Sequence, residues 1–205
     1  YKTDEVRAAS LGTLLEQGET ALGPQTDEAL DNEILKKEVE EILSLDSYQQ
    51  VMKSYLDKVI AEGGEESKTA RMEAAKAIGL MNPNAPLVFR LEDLLADESP
   101  EVSHYAAQSA AALKRRESVP YLVSKLSFPA LREDALDALV KYGPKIVGTL
   151  ADYLEDRAED MEIRKAASSA LARIGNQEAA DFLCWELADA GGELAESIID
   201  GLDMI

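Results

Sequence analysis

Small and aliphatic side chains recur along the chain at intervals of three and four residues, the spacing that lines one face of an α-helix. The pattern is clearest over residues 100–175, where three segments begin alike. Each has an aliphatic residue, an Ala four places later, and a run of small and apolar residues that stops twelve places after the start. The segments start at Val102, Leu131 and Ile163 and stop at Lys114, Gly143 and Gly175.

These starts are about 30 residues apart, and a shorter helical pattern precedes each one. Self-similarity at this period predicts helix pairs stacked side by side, in which neighbouring pairs cover each other's apolar faces. The Ala four places after each start is where we expect helices to approach most closely. The sequence therefore predicts an all-α protein, a right-handed α–α superhelix of antiparallel helix pairs. Related starts extend the array to Val6, Ala70 and Leu194.

The N-terminal part of the chain departs from this rhythm. Val6 and Ala70 are separated by about twice the usual period, which predicts a degenerate or inserted repeat over residues 1–66. Helices are predicted over 4–18 and 27–45. Residues 67–205 are predicted to form regular repeats, and the whole chain one continuous domain.

Arg follows the first aliphatic residue in most of the second helices, and an Asp closes several first helices. These features resemble HEAT repeats of the short bacterial kind, related to the bilin-lyase repeats. The resemblance implies contacts between the turn Asp and the helix Arg, here Asp156 with Arg164. It implies a weaker partner for Asp97, because Ser103 stands where Arg is expected. The residues that carry the resemblance are Val6-Arg7, Ala70-Arg71, Leu131-Arg132, Ile163-Arg164, Leu-Leu-Ala-Asp97 and Tyr-Leu-Glu-Asp156.

A narrower resemblance concerns residues 141–150 together with 173–179, which look similar to the soluble HEAT region of some bacterial nucleotide-translocase-like membrane transporters. That resemblance implies a cytoplasmic regulatory domain fused to a membrane part. The chain begins at Tyr1 and not Met, and its last residues stop inside an apolar pattern. We therefore expect it to be a piece of a longer polypeptide.

The formal charge of −19 bears on which class of partner the chain could bind. Such a field repels nucleic acid and anionic lipid and attracts basic proteins or cations. An acidic surface of this kind also simply keeps a bacterial or cytosolic protein soluble, and this second interpretation stays open. Hydrophobic residues make up 46% of the chain, enough to bury a core, but no apolar run approaches the ~20 residues that span a bilayer. The single cysteine excludes an internal disulfide and fits a reducing, cytoplasmic setting.

Three groups of residues are candidates for a metal site or a reactive side chain. Glu101 and His104 share a helix face, but a di-iron site needs several imidazoles and this histidine is the only one. The acidic run over 152–162 lacks the spacing of a calcium loop and is predicted to be a solvated turn. Cys184 and Trp185 are predicted to divide, one in the core and the other at the edge of the array. No catalytic, metal or cofactor site is predicted.

The favoured hypothesis is a non-enzymatic scaffolding module that binds a partner protein, or a basic segment, on an acidic concave surface of second helices. The partner could also be the remainder of its own parent chain. The alternatives are a regulatory domain of a bacterial membrane transporter and, least favoured, a lyase or metal-dependent enzyme. The predicted partner-binding residues are His104, Gln108, Glu133, Asp137, Lys141, Lys165 and Ser169.

Overall fold

The computed structural model describes residues 46–205, with side chains from residue 50 onward except at 52 and 62. The helices predicted over 4–18 and 27–45 lie outside these residues. The chain divides into two compact units between Arg115 and Arg116, and each is treated by itself. The predicted organisation, a degenerate repeat over 1–66 and one continuous array over 67–205, stays a prediction.

The first unit contains helix pairs in the order that the sequence predicts. A 3₁₀ turn, Pro86–Arg90, leads into its third described helix. The second helices α2 and α4 pack against each other, and α3 packs on α4. The helices are α1 (Asp46–Glu62), α2 (Lys68–Gly79), α3 (Leu91–Leu95) and α4 (Pro100–Leu113).

The second unit contains three further pairs. Two 3₁₀ turns, Arg116–Ser118 and Gly143–Ile146, precede its first and third helices. The second helices α6, α8 and α10 lie side by side, because α8 packs against both α6 and α10. Over residues 46–205, the predicted all-α fold of stacked helix pairs, typical of an α–α superhelix, is confirmed. The helices are α5 (Val119–Lys125), α6 (Arg132–Tyr142), α7 (Val147–Glu155), α8 (Met161–Ile174), α9 (Gln177–Leu187) and α10 (Gly192–Leu202).

Small residues set the spacing between these helices. The four repeat alanines of the described second helices, Ala74, Ala106, Ala135 and Ala167, are all buried. At Gly79 two helices approach closely, because an added Cβ would lie 2.8 Å from the Cβ of Ser109 on α4. Larger side chains at these positions would overpack the contact between neighbouring pairs.

The predicted stops of the second helices are left-handed or positive-φ positions. Lys114 and Gly175 cap α4 and α8 in the αL conformation, with φ of 51° and 62°. Gly143 follows α6 with φ of 67°. Glycine adopts positive φ without steric cost, whereas Lys114 is the one non-glycine residue with positive φ in the described part.

A repeated contact explains the Arg near the start of the second helices. In α8, Arg164 donates from Nε to the Leu154 carbonyl at the end of its own first helix (2.8 Å) and from Nη2 to Glu186 of the next pair (2.9 Å). In α6, Arg132 does the same with the Leu126 carbonyl (2.7 Å) and Glu162 (2.9 Å). The side chain thus satisfies a terminal carbonyl and joins two consecutive pairs.

These contacts correct the pairing that the resemblance implied. Arg164 pairs with Glu186, while the Asp156 carboxylate accepts the Ala158 N–H at 2.9 Å. The expectation of a weak partner for Asp97 is also wrong, because Arg71 of the preceding pair holds it with two hydrogen bonds of 2.6 and 3.2 Å. The ion pairs of these three arginines run between consecutive helix pairs, since the arginine side chain is long enough to reach across.

Candidate protein-interaction surface

The second helices of the second unit expose charged side chains that are paired from helix to helix. Glu133 and Asp137 are one turn apart on α6 and both are exposed. Arg173, near the end of α8, donates to Glu133 (2.9 Å) and to Asp137 (3.2 Å). The two predicted acids therefore lie together, and a cation that the sequence-based prediction missed holds them.

Lys165 forms a second link of the same kind at the start of α8. Its Nζ lies 2.9 Å from Glu162 on the same helix and 3.1 Å from Glu193 on α10. The hydrogen bond to Glu162, and then the one to Glu193, raise the pKa of the lysine. The hydrogen bond from Lys165 in turn lowers the pKa of Glu162. The lysine is charged at neutral pH and is held in place by two carboxylates.

A groove of about 570 Å³ lies between α8 and α10. Lys165 and Ser169 line its α8 side, and Ser169 donates a hydrogen bond to the Lys165 carbonyl (3.1 Å). The α10 side contributes three carboxylates, a serine, a buried glycine and an exposed methionine: Glu193, Glu196, Ser197, Asp200, Gly201 and Met204. The groove is thus mostly acidic and has one apolar end.

Lys141 occupies the last turn of α6, where its charge complements the helix C-terminus, and it is exposed. With it, five of the predicted binding residues belong to the second unit and lie on α6 or α8. We name five charged residues of these two helices the second-helix surface, of which all but the half-buried Lys165 are exposed: Glu133, Asp137, Lys141, Lys165 and Arg173.

The remaining two predicted residues are on α4 in the first unit. Gln108 is exposed, and its Nε2 lies 2.9 Å from Nε2 of His104. His104 also packs edge-on against Tyr105, with ring centroids 5.1 Å apart. Nearby, Lys68 bonds Glu101 at 2.9 Å, which together with Ser99 lowers the pKa of Glu101 to about 2. Glu101 is therefore engaged in an ion pair between α2 and α4.

Two acidic residues of the run over 152–162 have local structural roles. Asp160 is the N-cap of α8, where its side chain accepts the Glu162 N–H at 2.7 Å. The Asp156 carboxylate fixes the turn by accepting the Ala158 N–H. Over the part of the chain that the structure describes, residues 46–205, no cluster of three His, Cys, Asp or Glu residues is arranged to hold a metal ion.

Cys184 and Trp185 do not divide as predicted, because both are exposed on α9. The buried residues of this helix are Ala179 and Leu183, which leaves the two positions after Leu183 on the outer side of the helix. The prediction of one core residue in this dipeptide is wrong. Among the described helices, none combines the length and the apolar character that crossing a membrane requires.

Sequence comparison with known protein families finds a match to part of the chain. Residues 123–202, which run from within α5 to the end of α10, match the family model of HEAT repeats. The matched segment therefore covers most of three helix pairs of the second unit and includes the whole second-helix surface. Comparison with curated proteins yields no significant match.

Proposed function

From the premise that residues 123–202 are HEAT repeats, which commonly mediate protein–protein interaction, we propose that this chain is a scaffolding module that binds a partner protein on its second-helix surface. The lone, unpaired and exposed Cys184 supports a reducing, cytoplasmic setting for it.

The observation that carries this proposal is the ordered charge pattern across α6, α8 and α10. The cations of α8 each bridge to acids on a neighbouring helix, as Arg173 does with Glu133 and Asp137. Exposed ion pairs of this kind contribute little to stability, typically below about 1 kcal/mol. They do fix the positions of side chains, and a partner's charged groups would meet an already ordered surface.

Charge favours a partner with basic residues. Six carboxylates and four cations, Arg132 included, lie on or beside the second-helix surface and the groove, and the whole chain carries −19. A surface of this sign favours encounter with basic proteins and opposes nucleic acid. An interaction surface on a helical array also needs no catalytic group, and HEAT repeats are generally non-enzymatic scaffolds.

A double charge reversal tests the proposal. The variant Glu133→Lys/Asp137→Lys replaces two carboxylates by two ammonium groups, which then lie beside Arg173. The control variant Asp152→Lys/Glu155→Lys makes the same charge change at exposed positions of α7. Both variants and the unmodified protein are used to capture partners, which are then identified by crosslinking and mass spectrometry. Kd is measured by calorimetry for each captured protein.

We expect a specific partner that is lost on the α6 reversal, with Kd weakened about tenfold or more, and retained on the α7 reversal. Equal loss with both variants would mean that only net charge matters and would contradict a defined surface. Crosslinks that join this chain only to other parts of its own polypeptide would instead support the regulatory-domain alternative.

A further inference from the structure

The only tryptophan of the chain lies mostly in solvent on the first helix α9. Trp185 is 75% exposed, more than any other large hydrophobic side chain in the part of the chain that the structure describes. Tryptophan is well buried on average, because contact of its large indole ring with water is unfavourable. Trp is also among the residue types that dominate binding energy at protein interfaces, so an indole held in water is a candidate binding group.

Contacts with the preceding helix pair show which side of α9 carries the indole. Asp189, four residues after Trp185, forms an ion pair of 3.5 Å with Arg157 in the turn between α7 and α8. The interval that separates Arg157 from Asp189 also separates Tyr153 from Trp185, so the two aromatic residues occupy one position in consecutive repeats. Helices α7 and α9 pack against each other, and Tyr153 is half-buried. Trp185 therefore lies on the outward side of α9 that is nearer to α7.

A carboxylate lies one helical turn to either side of the indole. The residues four before and four after Trp185 are Asp181 and Asp189, and both are exposed. The other two neighbours on this side of the helix are the half-buried Phe182 and the small Ala188. Cβ atoms four residues apart on a helix are about 5–6 Å from each other, so one planar cation can lie over the indole and still reach a carboxylate. We call Asp181, Trp185 and Asp189 the α9 stripe.

The α9 stripe already holds one guanidinium, that of Arg157. Both side chains of the Arg157–Asp189 pair are about three-quarters exposed, and exposed pairs of this kind are weak. Asp181 accepts a hydrogen bond from Gln177 at 2.8 Å and has no ion pair among the described residues. Helix α9 itself contains three acids and no Lys or Arg. One carboxylate of the stripe thus lacks a cation, and the other holds its cation loosely.

We propose that the α9 stripe binds an arginine side chain of a partner protein. The guanidinium stacks on the Trp185 ring and donates hydrogen bonds to Asp181 or to Asp189, in the second case displacing Arg157. Arginine fits better than lysine, because its planar group stacks on an aromatic face and bonds a carboxylate through two N–H groups at once. This site is on a first helix and is distinct from the second-helix surface.

Other occupants fit this chemistry less well. An apolar side chain placed on the indole would cover the two carboxylates without offering them donors, which costs free energy. Phosphate groups of nucleic acid or of anionic lipid are repelled by the same carboxylates. A second copy of this chain could offer its own Arg157, so self-association is measured alongside binding.

The test uses the full chain and three flexible Gly/Ser peptides of about ten residues. Each peptide carries several copies of one side chain, which is arginine, lysine or citrulline, a neutral planar isostere of arginine. Because Trp185 is the only tryptophan, its emission and its quenching by acrylamide report on this site alone. For the variants, binding of a labelled arginine peptide is followed by fluorescence anisotropy at low and high salt. Sedimentation of the free chain measures self-association.

The variants separate the contributions of the ring, the carboxylates and the internal cation. Trp185→Phe keeps an aromatic face, whereas Trp185→Leu keeps only apolar area. Asp181→Asn/Asp189→Asn removes both carboxylates, and Arg157→Met removes the guanidinium that competes for Asp189. All of these side chains are exposed, so the changes leave the core intact, which circular dichroism checks.

A control removes the same charge elsewhere. Glu66→Gln/Glu98→Gln replaces two exposed carboxylates of the first unit. If the net charge of the chain alone attracted the peptide, this control and the double variant of the α9 stripe would have equal effects.

We expect the arginine peptide to shield Trp185 from acrylamide and to bind most tightly, the lysine peptide to bind about threefold more weakly, and the citrulline peptide not to bind detectably. Trp185→Phe should weaken binding about twofold, Trp185→Leu about fivefold and the double Asp variant about tenfold. Arg157→Met should strengthen binding about two- to threefold, because it releases the Asp189 carboxylate. The control should leave binding unchanged, and affinity should fall as salt is raised.

Equal binding of the arginine and citrulline peptides, or equal effects of the stripe variant and the control, would overturn the proposal. Binding that Trp185→Leu leaves unchanged would do the same, because the indole would then take no part in it. A chain that self-associates and becomes monomeric on Arg157→Met would also refute it, since the occupant would then be a second copy. None of these outcomes depends on the reversal of Glu133 and Asp137, so this inference and the proposed function can fail separately.

Discussion

Adding one methyl group at Gly79 should destabilise the first unit, although the same change favours a helix in general. Replacing Gly by Ala within a helix stabilises by at most about 1 kcal/mol. At Gly79 the new Cβ would lie 2.8 Å from the Cβ and 3.1 Å from the Cα of Ser109. Atoms so close to the backbone cannot rotate away, so α2 and α4 must separate, at a cost of about 1–3 kcal/mol.

The clash also displaces a buried hydrogen bond. Ser109 donates from Oγ to the Ala75 carbonyl at 2.7 Å, and losing that bond removes about 1 kcal/mol more. Together these effects outweigh the gain in helix propensity. We therefore expect Gly79→Ala to lower the free energy of unfolding by about 1–3 kcal/mol.

Urea unfolding followed by circular dichroism measures this change, and two other glycines provide controls. At Gly148 on α7 an added Cβ meets nothing within 4 Å, so Gly148→Ala should be neutral or stabilising by up to about 1 kcal/mol. At Gly201 on α10 it would lie 3.0 Å from the Cβ of Ala172, so Gly201→Ala should fall between the other two. The expected order of stability is Gly148→Ala, then Gly201→Ala, then Gly79→Ala.

A Gly79→Ala protein as stable as the Gly148→Ala protein would refute the close-packing argument. A double-mutant cycle with Ser109→Gly sharpens the test, because the second change removes the Cβ that the first one meets. The double variant should lose less stability than the two single changes added together. Strict additivity would mean that the two positions are not in limiting contact.

Three further predictions concern single side chains. Lys114→Gly should raise the free energy of unfolding by about 1 kcal/mol in urea denaturation, because Lys114 has positive φ at the end of α4. Glu101→Gln should lower stability near neutral pH. Because the pKa of Glu101 in the folded protein is about 2, below its ordinary 4.5, the difference in stability from the unmodified protein should disappear as the pH of the unfolding experiment is lowered from 4.5 toward 2. The variant Lys68→Met, which removes the partner of Glu101, should show the same pH dependence. Arg164→Met should lower the free energy of unfolding by about 2–3 kcal/mol, measured by thermal or urea unfolding, because it leaves the buried Leu154 carbonyl and the mostly buried Glu186 carboxylate without their donor. The control Arg157→Met removes only an exposed ion pair and should change the free energy of unfolding by less than about 0.5 kcal/mol.

Each of these predictions has a contrary result. A destabilised Lys114→Gly protein would mean that contacts of the lysine side chain stabilise the fold by more than the positive φ of Lys114 destabilises it. A Glu101→Gln difference that persists at pH 2 would show that the carboxyl stabilises the fold without its charge. Equal effects of Arg164→Met and Arg157→Met would mean that the buried contacts of the repeat arginine carry no special weight.

The helix pairs could be predicted from the amino-acid sequence, because the features that mark them are local. Helical spacing of apolar residues, a buried Ala such as Ala135 and a stop such as Gly175 act within one or two turns of chain. The same local pattern repeated at one period required neighbours to cover each apolar face. The surface assignment of Glu133 and Asp137 followed too, since they fall on the polar side of a helix whose apolar side is fixed.

Which side chains meet across neighbouring helix pairs could not be predicted from the sequence, because it depends on how the pairs stack. Arg164 could reach Asp156 or Glu186 on length alone, and the stacking of α9 against α8 selects Glu186. The exposure of Trp185 depends on which neighbour lies beside α9, and no local spacing specifies that neighbour. A helix encodes its own apolar face locally, but what covers that face is a property of the assembled array.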